Sequence, residues 1–423
     1  MKLILTVALS ILRVAFVGDP QVDDARELAY ARASIYAELK GRTDLDLVVI
    51  LGDLVNDKPE LLAPSKACLD SLPCPWICAP GNHDKDIYSR PRKGKVSKVA
   101  VEPRPREGSA PTLAVEPSSR EGSTSTLAVE PRPRDTRTFR RVLGYTDTTF
   151  VLGGICFISM DNVRTVHTAS YEGGLSETQK DFLRDALSSA PGEIVLCAHI
   201  PFSQCEGRDS LAAILSPFAE RLLIVCGHTH FVSRGTSPFG CEEVQAGATC
   251  GTWWRGVKGD DGIPLALMNC GAPRGYFVAD FKPSWKSNKS RQSANTLHSG
   301  WYSLDYKCVG RKASERMSVS VRDSLLFVNV YGGSAEGKVV IKYNGRWHTL
   351  DLALQPAPEV MDIIDFNSSQ SREYRRLHKE EYIPMRRIRS PHVWSCPIPK
   401  GNGRLKVWYT DPSGPVYKHS VRL

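Results

Sequence analysis

Short apolar runs alternate with helix-like stretches from residue 13 to residue 281 of the chain. The length of these runs and their flanking turn residues predict buried strands at 13–19, 45–51, 76–79, 149–152, 155–160, 194–198 and 223–226. Amphipathic spacing predicts helices, the third with Ser176 as its N-cap, at 23–39, 61–72, 177–187 and 211–222. Strands that alternate with helices are typical of an α/β fold, in which ligands bind at the carboxyl ends of the strands.

The pattern changes near residue 317, where short runs of alternating apolar and polar residues begin. They predict strands at 318–321, 325–331, 339–343, 347–354, 393–394, 405–409 and 416–421. Hairpin-type turns such as Asn344-Gly345 separate some of them. The pattern predicts a smaller, all-β, sandwich-like domain over 317–423. Before it, residues 241–281 are predicted to form an antiparallel edge, and residues 282–316 a linker or edge segment.

One stretch inside the α/β region breaks the pattern. Residues 100–113 are repeated at 114–127 and again, cut short, from Ala128. The repeat is rich in Pro, Arg, Glu, Ser and Gly and has too few apolar residues to bury. Such a composition is typical of disorder. We therefore interpret residues 90–136 as a disordered insertion.

Composition supports an ordinary globular protein of more than one domain. The 423 residues exceed one typical core, and 41% are hydrophobic and 24% charged. The net charge is +9, but much of the excess lies in the Arg-rich insertion. No basic helix accompanies it, so we expect no nucleic-acid partner. No apolar run approaches the ~20 residues that a membrane-spanning helix needs, so no membrane span is predicted.

The first twelve residues are open to two interpretations. Lys2 and the apolar run Leu3–Leu12 resemble the start of a secretory signal, with Ala8-Leu9-Ser10 as a loose cleavage site. Yet the first core strand begins almost at once, at Val14. Export to a periplasm is our expectation, and a strand that starts in the cytoplasm is the alternative.

The twelve cysteines do not predict a structural zinc site. Cys156, Cys197 and Cys226 each lie in an apolar run, where a free cysteine behaves as a small hydrophobic residue. No pair of CxxC motifs with zinc-finger spacing occurs.

Polar side chains follow the predicted strands at the points where they end. They are Asp19, Gln21, Asp53, Asn82, His83, Asp84, His199, His228 and His230. Carboxylate, amide and imidazole groups without thiolates are a suitable ligand set for a pair of divalent metal ions. A bridging carboxylate holds two such ions ~3.5–4 Å apart, and the ions lower the pKa of a bound water so that hydroxide is present at neutral pH.

His83 has a different possible role from its neighbours. Beside Asn82 it can face a substrate and protonate the leaving oxygen, and Asp84 could orient its ring and raise its basicity. Taken singly, these clusters have simpler explanations: Gly-Asn-His-Asp is a plausible turn, and an isolated histidine is usually a satisfied core residue. Five such clusters in order, each at a strand end, are hard to attribute to chance.

The order of these motifs resembles that of the calcineurin-like metallophosphoesterases. The matching residues are Asp19-Pro20-Gln21, Gly52-Asp53 with Asn56, Gly81-Asn82-His83-Asp84, His199-Ile200-Pro201 and Gly227-His228-Thr229-His230. The resemblance covers residues 13–281 apart from the insertion. It implies a four-layer α-β-β-α sandwich with a binuclear metal site between two sheets.

The resemblance also implies a role for each residue. Asp53 bridges two ions of Mn, Fe or Zn, of equal or mixed valence, and His83 is the general acid, paired with Asp84. One ion is bound by Asp19, Gln21 and His230, and the other by Asn82, His199 and His228. Gln21 departs from the family pattern, which more often has histidine there, and this affects the metal preference of the site.

A looser resemblance concerns the end of the chain. It is similar to a bacterial subgroup of these enzymes that carries a C-terminal β-domain, on the residues Gly251-Thr252-Trp253-Trp254, Gly262-Ile263-Pro264, Gly275-Tyr276, His392-Val393-Trp394 and Asp411-Pro412-Ser413-Gly414. The implied function is hydrolysis of a phosphate mono- or diester by a metal-bridging hydroxide. The substrate would be a small phosphorylated molecule. Two alternatives stay open: a pyrophosphatase acting on nucleotide- or lipid-linked substrates, and a scaffold or binding protein that uses the β-domain.

Overall fold

A computed structural model of the chain describes residues 11–86, 135–166, 170–282, 300–398, 403–413 and 416–422. Most of the predicted insertion, 90–136, and most of the segment 1–12 lie outside the described residues. The predictions of disorder and of a secretory signal therefore stay predictions. Among the described residues, no helix is both long and apolar enough to cross a membrane.

The described residues of the first region of the chain form thirteen strands. In chain order they are β1 (Leu12–Val17), β2 (Leu47–Ile50), β3 (Trp76–Cys78), β4 (Thr148–Leu152), β5 (Ile155–Met160), β6 (Val163–Thr165), β7 (Tyr171–Gly173), β8 (Ile194–Ala198), β9 (Leu222–Cys226), β10 (Val232–Thr236), β11 (Glu242–Ala246), β12 (Gly275–Phe281) and β13 (Tyr302–Cys308). One mixed sheet has the order β13-β12-β1-β2-β3, and a second has the order β10-β11-β9-β8-β5-β4. Strands β6 and β7 form a separate hairpin.

The helices of this region lie between its strands. They are α1 (Ala25–Ala31), which continues through a π-helical turn (Arg32–Tyr36) into α2 (Ala37–Lys40), then α3 (Leu62–Leu69), α4 (Arg137–Leu143), α5 (Glu177–Ser189) and α6 (Arg208–Leu215). Helix α5 begins with the predicted N-cap: the hydroxyl of Ser176 accepts from Gln179 N, and the Gln179 side chain accepts from Ser176 N.

The two sheets pack face to face between two layers of helices. Phe157 of the second sheet meets Phe281 of the first edge to face, with ring centroids 6.1 Å apart. On the far side of the second sheet, Leu183 and Leu187 of α5 share a core with Leu196 of β8. Helices α1 and α3 pack in the same way against the first sheet. The predicted four-layer α-β-β-α sandwich is confirmed.

Part of the segment between the two predicted domains is a strand. Strand β13 lies within residues 282–316 and pairs antiparallel with β12, so the first sheet extends to Cys308. Its inward residues are buried and alternate with partly exposed ones, as expected of an edge strand. The prediction of an antiparallel edge over 241–281 is right in part: β11 pairs antiparallel with β10, and β12 with β1 and β13. The two strands lie in different sheets, however, and β11 also runs parallel to β9.

The C-terminal region is built on a single antiparallel sheet. Its strands are β14 (Met317–Arg322), β15 (Leu325–Val330), β16 (Lys338–Tyr343), β17 (Arg346–Leu352), β18 (Val393–Pro397), β19 (Arg404–Thr410) and β20 (Val416–Arg422). They lie in the order β14-β15-β18-β17-β16-β19-β20. Met317 and Tyr417, from the two edge strands, share one core, so the sheet curls on itself. Two helices, α7 (Pro358–Ser369) and α8 (Arg372–Leu377), separate β17 from β18.

A buried group of charges joins the two regions. The guanidinium of Arg234 on β10 donates to Glu242 on β11 at 2.9 Å and to Asp411, beyond β19, at 2.7 Å. All three side chains are at most 2% exposed. Removing one partner would leave a buried charge uncompensated, which costs far more than an exposed ion pair contributes.

Shortening the insertion is expected to have little effect, because its two ends already lie together. Asp86 N donates to Asp135 O at 2.8 Å, and Thr138 N donates to the Asp86 carboxylate at 2.9 Å. Replacing residues 92–134 with a short Gly/Ser linker should leave the melting temperature and kcat nearly unchanged, since a shorter loop between fixed ends costs less entropy to close. A loss of activity beyond ~10-fold, about 1.4 kcal/mol in barrier height, would contradict this.

Candidate metal centre

The predicted ligands lie at the carboxyl ends of parallel strands. Asp19 follows β1, Asp53 follows β2, and Asn82 follows β3, and these strands are parallel neighbours in the first sheet. His199 follows β8 and His228 follows β9, which are parallel neighbours in the second sheet. Because the two sheets stack face to face, these strand ends converge at one edge of the sandwich.

Several of these residues adopt a backbone conformation that other residue types disfavour. The φ angles of Asp19, Gln21, Asp53, His228 and His230 are 47°, 42°, 49°, 73° and 49°. Left-handed backbone is uncommon outside glycine, although Asp and His are among the residues that adopt it more often. Such strain clusters at functional sites, where surrounding structure holds it in place.

Three side chains form a tight cluster of donor atoms. One ligand atom from each of Asp53, His199 and His228 lies within 4.8 Å of the others. The Nε2 atom of His199 is 3.2 Å from Asp53 Oδ2, 3.0 Å from Asn82 Oδ1 and 3.1 Å from His228 Nδ1. Four potential ligand atoms therefore point at a common position.

Backbone carbonyls orient two of the histidines. His199 Nδ1 is 2.8 Å from Leu51 O, and His230 Nδ1 is 2.7 Å from Gly251 O. Since a carbonyl oxygen only accepts, each Nδ1 carries a proton, and in the neutral form of each ring the lone pair lies on Nε2, which faces the site. This is the tautomer that metal coordination requires.

Asp19 and Gln21 form the other side of the site. The carboxylate of Asp19 accepts from His228 N at 3.0 Å and lies 3.6 Å from His230 Nε2. The amide nitrogen of Gln21 donates to Asn56 at 3.3 Å, and its oxygen, the ligand atom of the amide, lies 3.8 Å from the thiol of Cys250. All of the predicted metal ligands thus lie at one edge of the sandwich.

Burial and mutual charges shift the pKa values of the site in both directions, and the shifts of His228, His230 and Asp53 are the ones that suit cation binding. Burial, reinforced by His199, lowers the pKa of His228 to about 3, and burial lowers that of His230 to about 4, so both rings are neutral donors at pH 7. Burial raises the pKa of Asp19 well above its usual range. Burial opposes the charges on Asp53 and His199, but their mutual attraction outweighs it, lowering the Asp53 pKa to about 2 and raising that of His199 to about 9.

His83 occupies a separate position next to the cluster. Its backbone N–H donates to Asp53 Oδ1 at 2.8 Å, and its half-buried ring is not among the grouped donor atoms. Nδ1 of the ring lies 3.0 Å from the carboxylate of Asp57. Burial lowers the pKa of His83, but the charges of Asp57 and Asp53 outweigh it, so the pKa is raised and the protonated form is favoured.

The predicted pairing of Asp84 with His83 is wrong. Asp84 is fully buried, and its two oxygens accept from Val55 N at 3.0 Å and Gly81 N at 2.9 Å. The side chain of Asp84 therefore holds two loops together. Asp57, not Asp84, lies beside the ring of His83.

The family comparison agrees with this geometry. A family model described as "Calcineurin-like phosphoesterase" matches residues 12–232, more than half of the chain. The chain belongs to the calcineurin-like phosphoesterases. A second model, described as "C terminal of Calcineurin-like phosphoesterase", matches residues 243–417 of the same chain. This calcineurin-like phosphoesterase is therefore a metal-dependent enzyme of a family whose centre holds two divalent ions, and its Asp53–His199–His228 cluster fits such a centre.

The individual proteins that resemble this calcineurin-like phosphoesterase share little sequence identity with it. No curated protein sequence matches it significantly. A dimetal phosphatase from Danio rerio is 12% identical, with a TM-score of 0.38, over 64% of this chain and 93% of that one. GAP50, described as the anchor in the inner membrane complex of Plasmodium, is 13% identical, with a TM-score of 0.34, over 68% and 88%. A predicted phosphoesterase from Streptococcus pneumoniae is 10% identical, with a TM-score of 0.26, over 80% and 97%.

Two residues of this phosphoesterase site were not predicted from the sequence. Asp57 is one, although it directly follows the Asn56 of a recognised motif. Cys250 is the other: its buried thiol lies 3.8 Å from both Gln21 Oε1 and His230 Nδ1. Burial raises the pKa of Cys250 well above its usual value, so it stays a neutral thiol. A lone cysteine in a loop gives no sequence signal of this placement.

Gly81 is expected to be essential for the position of Asp53. A Cβ at Gly81 would lie 2.1 Å from Asp53 Oδ1, so the Gly81→Ala variant must displace that carboxylate. We expect metal affinity, measured by calorimetry, to fall by at least ~10–100-fold, the range for lost support of a ligand. Gly235→Ala on β10 is the matched control, since a Cβ there meets no atom within 4 Å. Unchanged affinity in Gly81→Ala would contradict the placement of Asp53.

Proposed function

We propose that this protein hydrolyses phosphate mono- or diesters of small molecules with two divalent metal ions. The ions would be held by Asp19, Gln21, Asp53, Asn82, His199, His228 and His230. The supporting observation is the convergence of His199 Nε2, His228 Nδ1, Asn82 Oδ1 and Asp53 Oδ2 on one position, next to a half-buried histidine that is not part of the cluster.

The chemistry divides between the metals and the chain. When bound, two divalent ions lower the pKa of a water and neutralise phosphoryl oxygens. Asp53 suits the bridging role because Oδ1 is fixed by His83 N while Oδ2 faces His199, so the carboxylate cannot rotate freely. Neutral His228 and His230 supply lone pairs without first losing a proton.

His83 is proposed as the general acid. As an oxygen derived from water bonds to phosphorus and the bond from phosphorus to the leaving oxygen breaks, the proton on the His83 ring passes to the leaving oxygen, and the neutral alcohol leaves. Asp57, 3.0 Å from Nδ1, favours the charged ring before the transfer and holds its orientation. The protein then recovers the proton from solvent for the next turnover.

A panel of substrates tests this function. The chelated protein is assayed with added Mn²⁺, Fe²⁺ or Zn²⁺ on phosphate monoesters, diesters and pyrophosphate-linked nucleotides or lipids. Metal-dependent turnover of monoesters or diesters is the expected result. Turnover confined to pyrophosphates would replace the proposal with the pyrophosphatase alternative. No turnover on any of them, from protein that binds metal, would favour a binding protein that uses its β-domain.

A further inference from the structure

Trp253 is an exposed aromatic residue at the metal centre. It is 42% exposed, whereas its neighbours Thr252 and Trp254 are 3% and 4% exposed. The centroid of its ring lies 4.9 Å from that of His230, at an interplanar angle of 39°. A large apolar surface is thus open to solvent in contact with a predicted metal ligand.

The backbone at Trp253 is held in a conformation that such a residue disfavours. Its φ angle is 58°, and that of Trp254 is 48°. A positive φ is a genuine outlier for a bulky residue and costs free energy that the surrounding structure must offset. Neither burial nor backbone preference accounts for a tryptophan at this position.

The turn that carries Trp253 is fixed from beneath. The indole N–H of Trp254 donates to Pro20 O at 2.9 Å, and its ring packs against Tyr30 at 6.1 Å and the guanidinium of Arg274 at 5.0 Å. Gly251, two residues earlier, accepts from His230. One turn therefore sets both the orientation of the metal ligand and the position of the exposed ring.

A second aromatic residue flanks the centre on the side of His228. Tyr171 on β7 meets the His228 ring edge to face, with centroids 5.8 Å apart. Each of the two histidines that follow β9 thus has its own aromatic neighbour. Trp253 is the more exposed of the two, since Tyr171 is half-buried.

We propose that Trp253 is a stacking platform for a flat aromatic group, such as a nucleobase, on the organic part of the substrate. The inference rests on the proposed function, because it assumes that the phosphoryl group binds at the metals. The face of an indole binds a flat ring without sequence-specific hydrogen bonds, and stacking of one base strengthens binding by about 5- to 100-fold. The substrate class is then nucleotide-like rather than a sugar or alkyl phosphate.

Calorimetry on the metal-loaded protein tests the proposal. The probes are the non-hydrolysable phosphonate analogues of adenosine 5′-monophosphate and of ribose 5-phosphate, and methylphosphonate. Wild-type protein should bind the adenosine analogue about 5- to 100-fold more tightly than the ribose analogue. Trp253→Ala should reduce the ratio of the affinities for the adenosine and ribose analogues to about one. It should leave the affinity for the ribose analogue and for methylphosphonate unchanged.

Three further variants define the effect. Trp253→Asn repeats the truncation with a residue that tolerates positive φ, in case alanine disturbs folding. Trp253→Phe should retain most of the preference, because it keeps a flat ring. Trp347→Ala removes another exposed tryptophan, 58% against the 42% of Trp253, from β17 of the C-terminal sheet and should not change the affinity for any probe.

The outcomes separate the two proposals. Equal binding of the adenosine and ribose analogues by wild-type protein, or a preference that survives in both truncations, would overturn the stacking role alone. An equal loss of affinity for both analogues in Trp253→Ala and Trp253→Asn would also overturn the stacking role, in favour of a sugar-binding role. If none of the three probes binds to metal-loaded wild-type protein, the proposed function fails, and the stacking role fails with it.

Discussion

Asp53→Ala should empty both metal positions and lower kcat by more than any other single substitution. A bridging carboxylate serves two ions at once, so its loss removes a ligand from each. The loss of kcat should exceed the ~10²–10⁴-fold that a general acid contributes. Elemental analysis of the purified variant, together with kcat at saturating metal, measures both effects.

Asn82→Ala provides the comparison for Asp53. Asn82 contacts His199 and is proposed to serve one ion, so this variant should keep one metal, and excess metal should restore part of its activity. Asp53 is not the bridge if Asp53→Ala retains two ions per chain. Nor is it the bridge if excess metal restores the activity of Asp53→Ala to the same degree as that of Asn82→Ala.

His83→Ala should keep both metals but lose ~10²–10⁴-fold in kcat, the usual contribution of general acid catalysis. The loss should shrink for a nitrophenyl ester, because that leaving oxygen needs little protonation. Asp57→Asn should show the same dependence on the leaving group to a smaller degree, since it removes the charge 3.0 Å from the His83 ring. The measurement is kcat for each variant on a poor and a good leaving group, alongside metal content.

Asp84→Asn is the matched control for Asp57→Asn. The carboxylate of Asp84 accepts from two backbone amides, so its loss should lower the melting temperature without changing the dependence on the leaving group. If His83→Ala loses metal, or if its kcat falls equally for the poor and the good leaving group, His83 is not the acid. If Asp84→Asn shows the leaving-group dependence and Asp57→Asn does not, the pairing predicted from the sequence was right.

The grouping of the candidate ligands at one edge of the sandwich could be predicted from the sequence because strand ends are a strong constraint. An apolar run that stops at Gly-Asp or Gly-His fixes where the chain leaves the sheet, and parallel neighbours bring those points together. The same reasoning failed for Asp84. Being next to His83 in the sequence does not determine where the side chain of Asp84 points. Its carboxylate accepts hydrogen bonds from two buried backbone amides, which would be costly to leave without a partner.

Two other features could not be fully predicted from patterns in the sequence. Strand β13 lies at the edge of the first sheet, where the sequence predicts a linker or edge segment but no strand; its buried residues Tyr302, Leu304 and Tyr306 alternate with polar ones. Cys250 and Trp253 lie in a loop, where position depends on tertiary contacts such as that of Trp254 with Pro20 rather than on periodicity.

Stepwise addition of Mn²⁺ or Zn²⁺ to the chelated protein is the most direct test of the proposed two-ion hydrolysis. Bound metal is measured by calorimetry and turnover of a phosphodiester in the same samples, with Asp53→Ala beside them. We expect no turnover without metal, full activity when two ions are bound per chain, and neither binding nor activity in Asp53→Ala. Full turnover by the chelated protein, or equal turnover by Asp53→Ala, would contradict the proposed function.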